Sequence, residues 1–285
     1  MGVCHDPASH PPVFEPASGP VASRDTLVLT SSDGSRFSAF HAVPGRPGRP
    51  HGTSVLVLPD NRGLTGFYEE LCIRLAEQGH PAMAIDYYGR SAGPDHRARD
   101  DAFPFMEHLF RVTREGLFAD IRAGIAALRN GAGGTNLDAT APAEVAVLGF
   151  CFGGRQAFLT AAPEFGTRGA IGFYGFPDEL FGAPGPTQLA DGLTAPILGL
   201  FGGADAGISA EHVAAFGRAL GGTPHEFVTY PGMPHSFFDQ PADAADPVDP
   251  VDPVDVAGPS TPADPDGARA AACADAWRRV LAFLA

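Results

Sequence analysis

The stretch VAVLGFCFGGRQAFLTA, residues 145–161, constrains this chain more than any other. Residues 145–148 are a short apolar run rich in β-branched side chains, the composition of a buried strand. Gly149-Phe150-Cys151-Phe152-Gly153-Gly154 follows as a turn, and residues 155–162 have the composition of a helix. A strand can pass this sharply into a helix only if glycines leave room where the two backbones meet. The cysteine between them is then held above the end of a sheet, at a helix N-terminus. Free N–H groups and the positive end of the helix dipole favour a thiolate and a developing oxyanion there. Taken alone, the motif is equally a buried structural cysteine beside a glycine-rich turn, so the downstream residues have to decide.

The surrounding pattern supplies the layers such a turn needs. Residues 26–30 and 36–43 flank Ser32-Asp33-Gly34 and predict an antiparallel hairpin. Strands are expected at 54–58, 81–85, 170–174, 196–201 and 225–230. Between them, apolar residues recur at helical spacing: Phe67, Tyr68, Leu71, Cys72 and Leu75 behind a Thr65 cap, then Leu117, Ile121, Ile125 and Leu128, then Val213, Phe216 and Leu220. Trp277, Val280, Leu281 and Leu284 stripe a closing helix that Asp264 or Asp266 can cap. Alternation of this kind predicts an α/β protein with a mostly parallel central sheet and helices on both faces, and the Gly-x-Cys-x-Gly turn within it resembles the nucleophile elbow of the α/β-hydrolase fold.

The expected organisation is a loosely held arm over residues 1–24 and a single domain over 25–285. An Asp/Pro-rich insertion at about 240–266 should be disordered. It carries Asp-Pro-Val three times, and proline with repeated aspartate favours an extended, solvated segment. Cys4, His5 and His10 lie in the arm and lack a fourth ligand at metal-binding spacing, so a solvated tail is the expectation.

The net charge is −14 and the chain contains no lysine, which argues against nucleic acid or an anionic membrane as partner. Neither a signal-peptide core nor an apolar run of transmembrane length is visible, which points to a cytoplasmic protein. The 4 cysteines form no CxxC pair and no metal-ligand rhythm, and Cys72 reads as core packing.

Cys151, Asp205 and His235 succeed one another in the order nucleophile, acid, histidine, each in a loop after an expected strand. His235 would take the thiol proton and return it to the leaving group, while Asp205 would fix the imidazole tautomer. The backbone N–H groups of Phe152 and Asn61 would form the oxyanion hole. Singly, Asp205 is also an ordinary turn residue and His235 an ordinary loop histidine; the coincidence of all three is what carries weight.

The segments Asp60-Asn61-Arg62-Gly63-Leu64, Asp86-Tyr87-Tyr88-Gly89-Arg90, the Cys151 turn, Gly203-Ala204-Asp205 and Pro234-His235-Ser236-Phe237 together resemble the dienelactone hydrolase family. The likeness covers about residues 24–239 and the final helix. It implies a cofactor-free hydrolase that opens lactones or other small-molecule esters through a thioester, with Cys151, Asp205 and His235 as triad. Asp60 stands where the family usually has a glutamate that helps deprotonate the resting thiol. Arg90 matches one of two arginines that hold a substrate carboxylate. Asp239 stands where the second is expected, and its charge would repel an anionic substrate. Alternatives on the same residues are a broad carboxylesterase or thioesterase, or a non-catalytic relative whose Cys151 senses oxidants or ligands. A different class again is an interaction protein that docks through the Asp-Pro-Val tract. The oligomeric state is left open.

Overall fold

The computed structural model describes residues 9–17, 19–45, 53–95, 102–131, 144–240 and 267–285. Strands β1 (Val21–Thr30) and β2 (Arg36–Pro44) form the expected hairpin, longer at its outer ends than the sequence suggests. β3 (Ser54–Leu58), β4 (Ala82–Ile85), β5 (Val145–Phe150), β6 (Gly169–Phe173), β7 (Ile197–Gly202) and β8 (His225–Tyr230) follow. The helices are α1 (Gly66–Glu77), α2 (Gly89–Ala92), α3 (Phe105–Leu109), α4 (Arg114–Arg129), α5 (Phe152–Leu159), α6 (Ala210–Leu220) and α7 (Ala268–Leu284).

All strands join one 8-stranded sheet in the order β1-β2-β4-β3-β5-β6-β7-β8. β4 through β8 pair in parallel, while β1 and β2 run antiparallel at one edge. This is the α/β-hydrolase arrangement. The chain steps one way from β3 to β4 and then crosses back past β3 to β5 on its other side. That reversal opens a crevice beyond the C-terminal ends of β3 and β5, where open α/β sheets bind ligands.

Alternation along β3 shows how the layers close. Val55 and Val57 pack with Phe67, Leu71 and Cys72 of α1. Leu56 and Leu58 face the other way, against Leu117, Ile121 and Ile125 of α4. Successive side chains of a strand point to opposite faces, so α1 and α4 cover opposite sides of the sheet. Cys72 is fully buried here and burial pushes its thiol far up, the core role expected of it.

Three local expectations shift. Thr65 precedes α1 but its side chain makes no cap bond. α5 starts at Phe152, directly after the cysteine. α7 begins behind Gly267 in left-handed conformation; Asp264 and Asp266, like Cys4, His5 and all of the Asp/Pro-rich insertion after Gln240, lie outside the described residues. Among the described residues no helix is long and apolar enough to cross a membrane.

Candidate active site

The turn after β5 is as tight as its glycines imply. A Cβ on Gly149 would sit 2.1 Å from the Gly153 carbonyl oxygen. One on Gly153 would sit 2.1 Å from the Leu58 oxygen and 2.2 Å from that of Pro59, so α5 rests directly on the end of β3. Cys151 bears the cost of the turn, at φ 51° and ψ −111°. Its N–H donates to Phe173 O at 3.0 Å, and its own carbonyl accepts from Arg155 N–H at 3.0 Å. A non-glycine residue held in such a sparsely populated region costs of order 1–3 kcal/mol, and such residues cluster at functional sites.

The 60–63 loop beyond β3 is fixed by three tyrosines. Tyr68 Oη accepts the Asp60 N–H at 2.9 Å, Tyr87 Oη donates to Pro59 O at 2.6 Å, and Tyr88 Oη donates to Asn61 O. Asp60 is buried and its Oδ1 accepts the Arg62 N–H at 2.8 Å. Gly63, at φ +86°, allows the loop to close over Asp86 and the Tyr88 ring. Within the described residues neither the Asn61 nor the Phe152 N–H donates to a protein acceptor. Asn61 is buried and its Oδ1 accepts no hydrogen bond, an unsatisfied group of the kind folds tolerate mainly at functional positions. Tyr87 sits among these groups. Its ring packs edge-on to Phe152 at 5.4 Å, and burial first, then Tyr88, Asp60, Asp86 and Cys151, push its hydroxyl pKa well up.

His235 comes from the loop after β8 and Asp205 from the loop after β7. His235 Nδ1 lies 2.6 Å from Asp205 Oδ2. The Asp205 carboxylate also accepts the Gly207 N–H at 2.8 Å. Burial alone would raise its pKa, but the His235 hydrogen bond and charge and the backbone donors lower it. For His235, burial pulls the imidazole down, while hydrogen bonds to Asp205 and Cys151 and their charges outweigh it and lift the pKa to about 10. Cys151, His235 and Asp205 are thus brought together in that order. At neutral pH that raised pKa keeps His235 as an imidazolium beside the Asp205 carboxylate.

Two further residues with positive φ flank this pair. Ser236, at φ 60°, follows the histidine, and Tyr174, at φ 37°, lays its ring 4.8 Å from the imidazole. Tyr174 had no signal in the sequence beyond ending an apolar strand. Neither did Arg155, which is buried on α5 and donates to the carbonyls of Phe176, Asp178 and Ala183, fastening the loop after β6 to the elbow helix. Burial, then Arg114, pull its guanidinium pKa down to about 10 against Asp178.

The histidine loop is closed by distant elements. Arg269 of α7 pairs with buried Asp239, Cys273 Sγ donates to Phe237 O at 3.3 Å, and Phe238 packs against Trp277. Asp239 is therefore neutralised by Arg269, which removes the source of the repulsion expected from it. The arm also differs from the loose, solvated tail anticipated. His10 and Gln240 exchange backbone hydrogen bonds at 3.1 and 2.8 Å, His10 Nδ1 lies 2.9 Å from Glu70 Oε1, and Phe14 stacks on Trp277 at 5.0 Å.

Arg90 departs furthest from expectation. Its Nε and Nη2 donate to Asp120 at 2.9 and 2.8 Å, Nη1 to Asp33 at 2.5 Å and Ser35 Oγ at 2.7 Å, and Nη2 again to Asp33 at 3.3 Å. These contacts use all five N–H groups of a guanidinium. One cation between two carboxylates leaves the cluster net negative, so Arg90 offers no free fork to a substrate carboxylate. The reason is long-range: Asp33 comes from the β1–β2 turn and Asp120 from α4, and neither carries a sequence signal linking it to Arg90.

The comparisons with known proteins agree with this architecture. Residues 37–285 match the model of the dienelactone hydrolase family. An Escherichia coli K12 protein described as "Putative carboxymethylenebutenolidase" is 32% identical over 79% of this chain and 85% of its own length. A carboxymethylenebutenolidase of Rhodococcus opacus is 29% identical over 82% of this chain and 81% of its own. Among solved structures, a "Putative Dienelactone Hydrolase" from Klebsiella pneumoniae superposes with a TM-score of 0.69 at 26% identity, covering 92% of this chain and 98% of its own. A match that runs from β2 to the last helix spans every element that builds the site, and on it the chain is a member of the dienelactone hydrolase family and a hydrolase of ester bonds.

Proposed function

We propose that the protein hydrolyses neutral lactones or other small neutral carboxylic esters through a thioester on Cys151. The observation that carries this reading is the hydrogen-bonded series from Asp205 through His235 to Cys151 at the mouth of the β3/β5 crevice. In the acylation step the Cys151 thiolate attacks the ester carbonyl carbon, and the carbonyl electron pair moves onto oxygen. The N–H groups of Phe152 and Asn61 receive that oxyanion. Collapse expels the alkoxide, and the His235 imidazolium supplies its proton. Water then attacks the thioester with His235 as base, and collapse returns Cys151 to the thiolate. Asp205 keeps the imidazole oriented and stabilises its charged form.

Asp60, buried beside Tyr87 among whose neighbours Cys151 also lies, would take the role that the resemblance gives its position, helping to draw the proton from the resting thiol. Its Oδ1 also serves the Arg62 N–H, so its first effect is to shape the loop that presents Asn61. The preference for neutral substrates rests on Arg90, whose charge Asp33 and Asp120 already consume. The protein is read as acting without a cofactor and in the cytoplasm.

Kinetics with matched neutral and carboxylate-bearing lactones test this. The neutral lactone should lead by about tenfold in kcat/KM, the equivalent of about 1.4 kcal/mol. Arg90→Ala should lower stability yet leave that ratio within about twofold. A wild type that favours the anionic lactone, with the advantage lost in Arg90→Ala, would return Arg90 to the substrate site.

A further inference from the structure

Phe110 and Phe181 are the most exposed large apolar side chains among the described residues, at 71% and 76%. They meet edge-on with ring centroids 6.5 Å apart, although they come from segments remote in sequence. Single exposed apolar residues need no explanation, but two aromatic rings brought together in solvent call for one.

The backbone under Phe181 makes the choice of residue stranger still. Leu180 and Ala183 exchange N–H···O bonds at 3.1 and 2.9 Å, closing a two-residue turn. Both central residues have positive φ, 52° at Phe181 and 75° at Gly182. Turns of this kind favour Asn-Gly or Gly-Gly, and a bulky side chain at the first position is strained. Phe181 is thus held in a costly conformation and buries almost nothing in return. Neither local propensity nor core packing accounts for it.

Its mounting points toward the site. The segment starts at Tyr174, whose ring lies against His235, and Arg155 of the elbow helix grips it at Phe176, Asp178 and Ala183. The partner segment is anchored at the other lip: Phe105 lies under the Arg62 guanidinium at 5.8 Å, and Phe103 and His108 pack on Tyr88. The two lips meet twice, at Phe110–Phe181 and where Arg114 donates to Pro184 O at 2.6 Å. Both lie at the C-terminal edge of the sheet that carries Cys151 and His235.

We propose that Phe110 and Phe181 form an apolar rim that receives an uncharged aromatic or long aliphatic substituent of the ester substrate. This rests on the ester-hydrolase reading of the site and narrows its substrate class. An apolar arm is the occupant the surroundings favour, because the Arg90 cluster, Asp60 and Asp86 repel a carboxylate, while Phe103 of the same segment as Phe110 starts a run of ring contacts through Tyr88 and Tyr87 to Phe152 beside Cys151.

The test compares p-nitrophenyl 4-phenylbutanoate with p-nitrophenyl acetate, and 2-phenylethyl acetate with ethyl acetate, in the wild type, Phe181→Asn and Phe110→Ser. Phe181→Asn should lower the bulky-to-small ratio of kcat/KM about fivefold to tenfold in at least one pair. The same variant should melt about 2 °C higher, since asparagine accepts the left-handed turn more readily. Phe110→Ser should reproduce the loss of ratio without the gain in melting temperature. Ratios within twofold of wild type in both pairs would overturn the proposal. So would a change in solution mass by light scattering in Phe181→Asn, which would make the patch an interface between copies. Acetate hydrolysis that disappears in Cys151→Ala upholds the triad reading whichever way the rim variants fall.

Discussion

Cys151 is placed by its immediate neighbours, whereas His235 is placed by parts of the chain far from it. Around the cysteine, Gly149, Gly153 and Gly154 bring backbone against backbone, and the atoms that crowd them belong to β3, Pro59, β5, α5, β6 and Gly175. Around the histidine, support arrives from the β7 loop through Asp205, from α7 through Arg269 and Cys273, and from the arm through His10 and Phe14. One half of the site is set by the steric demands of a single motif. The other is set by side-chain partners that must find each other in the folded state. The first should therefore fail abruptly under substitution, and the second in graded steps.

Gly153→Ala attacks the nucleophile end. Its Cβ would strike two carbonyl oxygens of β3 and the following proline, neither of which can rotate away. A loss of about 3 kcal/mol or more in unfolding free energy is expected, with activity lost as well. Denaturant titration checks it; a stable, active Gly153→Ala protein would mean the elbow is looser than described.

Arg269→Met attacks the histidine end. It leaves Asp239 buried without its cation, a change that typically costs about 3–5 kcal/mol. Because the pair sits on the loop that carries His235, kcat should fall severalfold while KM changes little. Asp239→Asn combined with Arg269→Met should recover part of both losses. Loss of stability with unchanged kcat would show that α7 braces the fold and not the histidine.

The smallest perturbation is pH. With its folded pKa near 10, above the ordinary 6.5, His235 contributes stability that is complete below about pH 6.5 and disappears as pH rises through about 10. Asp205 is shifted the other way, so its share is present above the ordinary carboxylate pKa of 3.8 and is lost as pH falls below it. Accordingly kcat/KM should pass through pH 6.5 without an inflection and decline through about pH 10, where the imidazolium proton is lost. Asp205→Asn should move that decline toward neutrality. An inflection near pH 6.5 in the wild type would contradict a paired histidine.

The same contrast explains what the sequence revealed. Strand alternation, helix stripes and the Gly149–Gly154 motif are local, and they led to the sheet, its layers and Cys151. Asp205 and His235 are expected at strand ends, which are themselves local features, and the fold sets them 2.6 Å apart. The ion pairs of Arg90 and Asp239 carry no such signal, because their partners, Asp33, Asp120 and Arg269, lie on other elements and are linked to them only by folding. Arg155 and Tyr174 gave no sign for the same reason. His10 looked like part of a tail because its binding surface at Gln240, Glu70 and Trp277 does not exist in the unfolded chain.

The central claim is that Cys151 carries the acyl group. Rapid acid quenching of the protein with p-nitrophenyl acetate during turnover, followed by peptide mass spectrometry, reads this directly. An acetyl adduct on the peptide containing Cys151, absent from Cys151→Ala together with a fall of about a thousandfold or more in kcat, is the expected result. An adduct on another residue, or near wild-type turnover by Cys151→Ala, would contradict it.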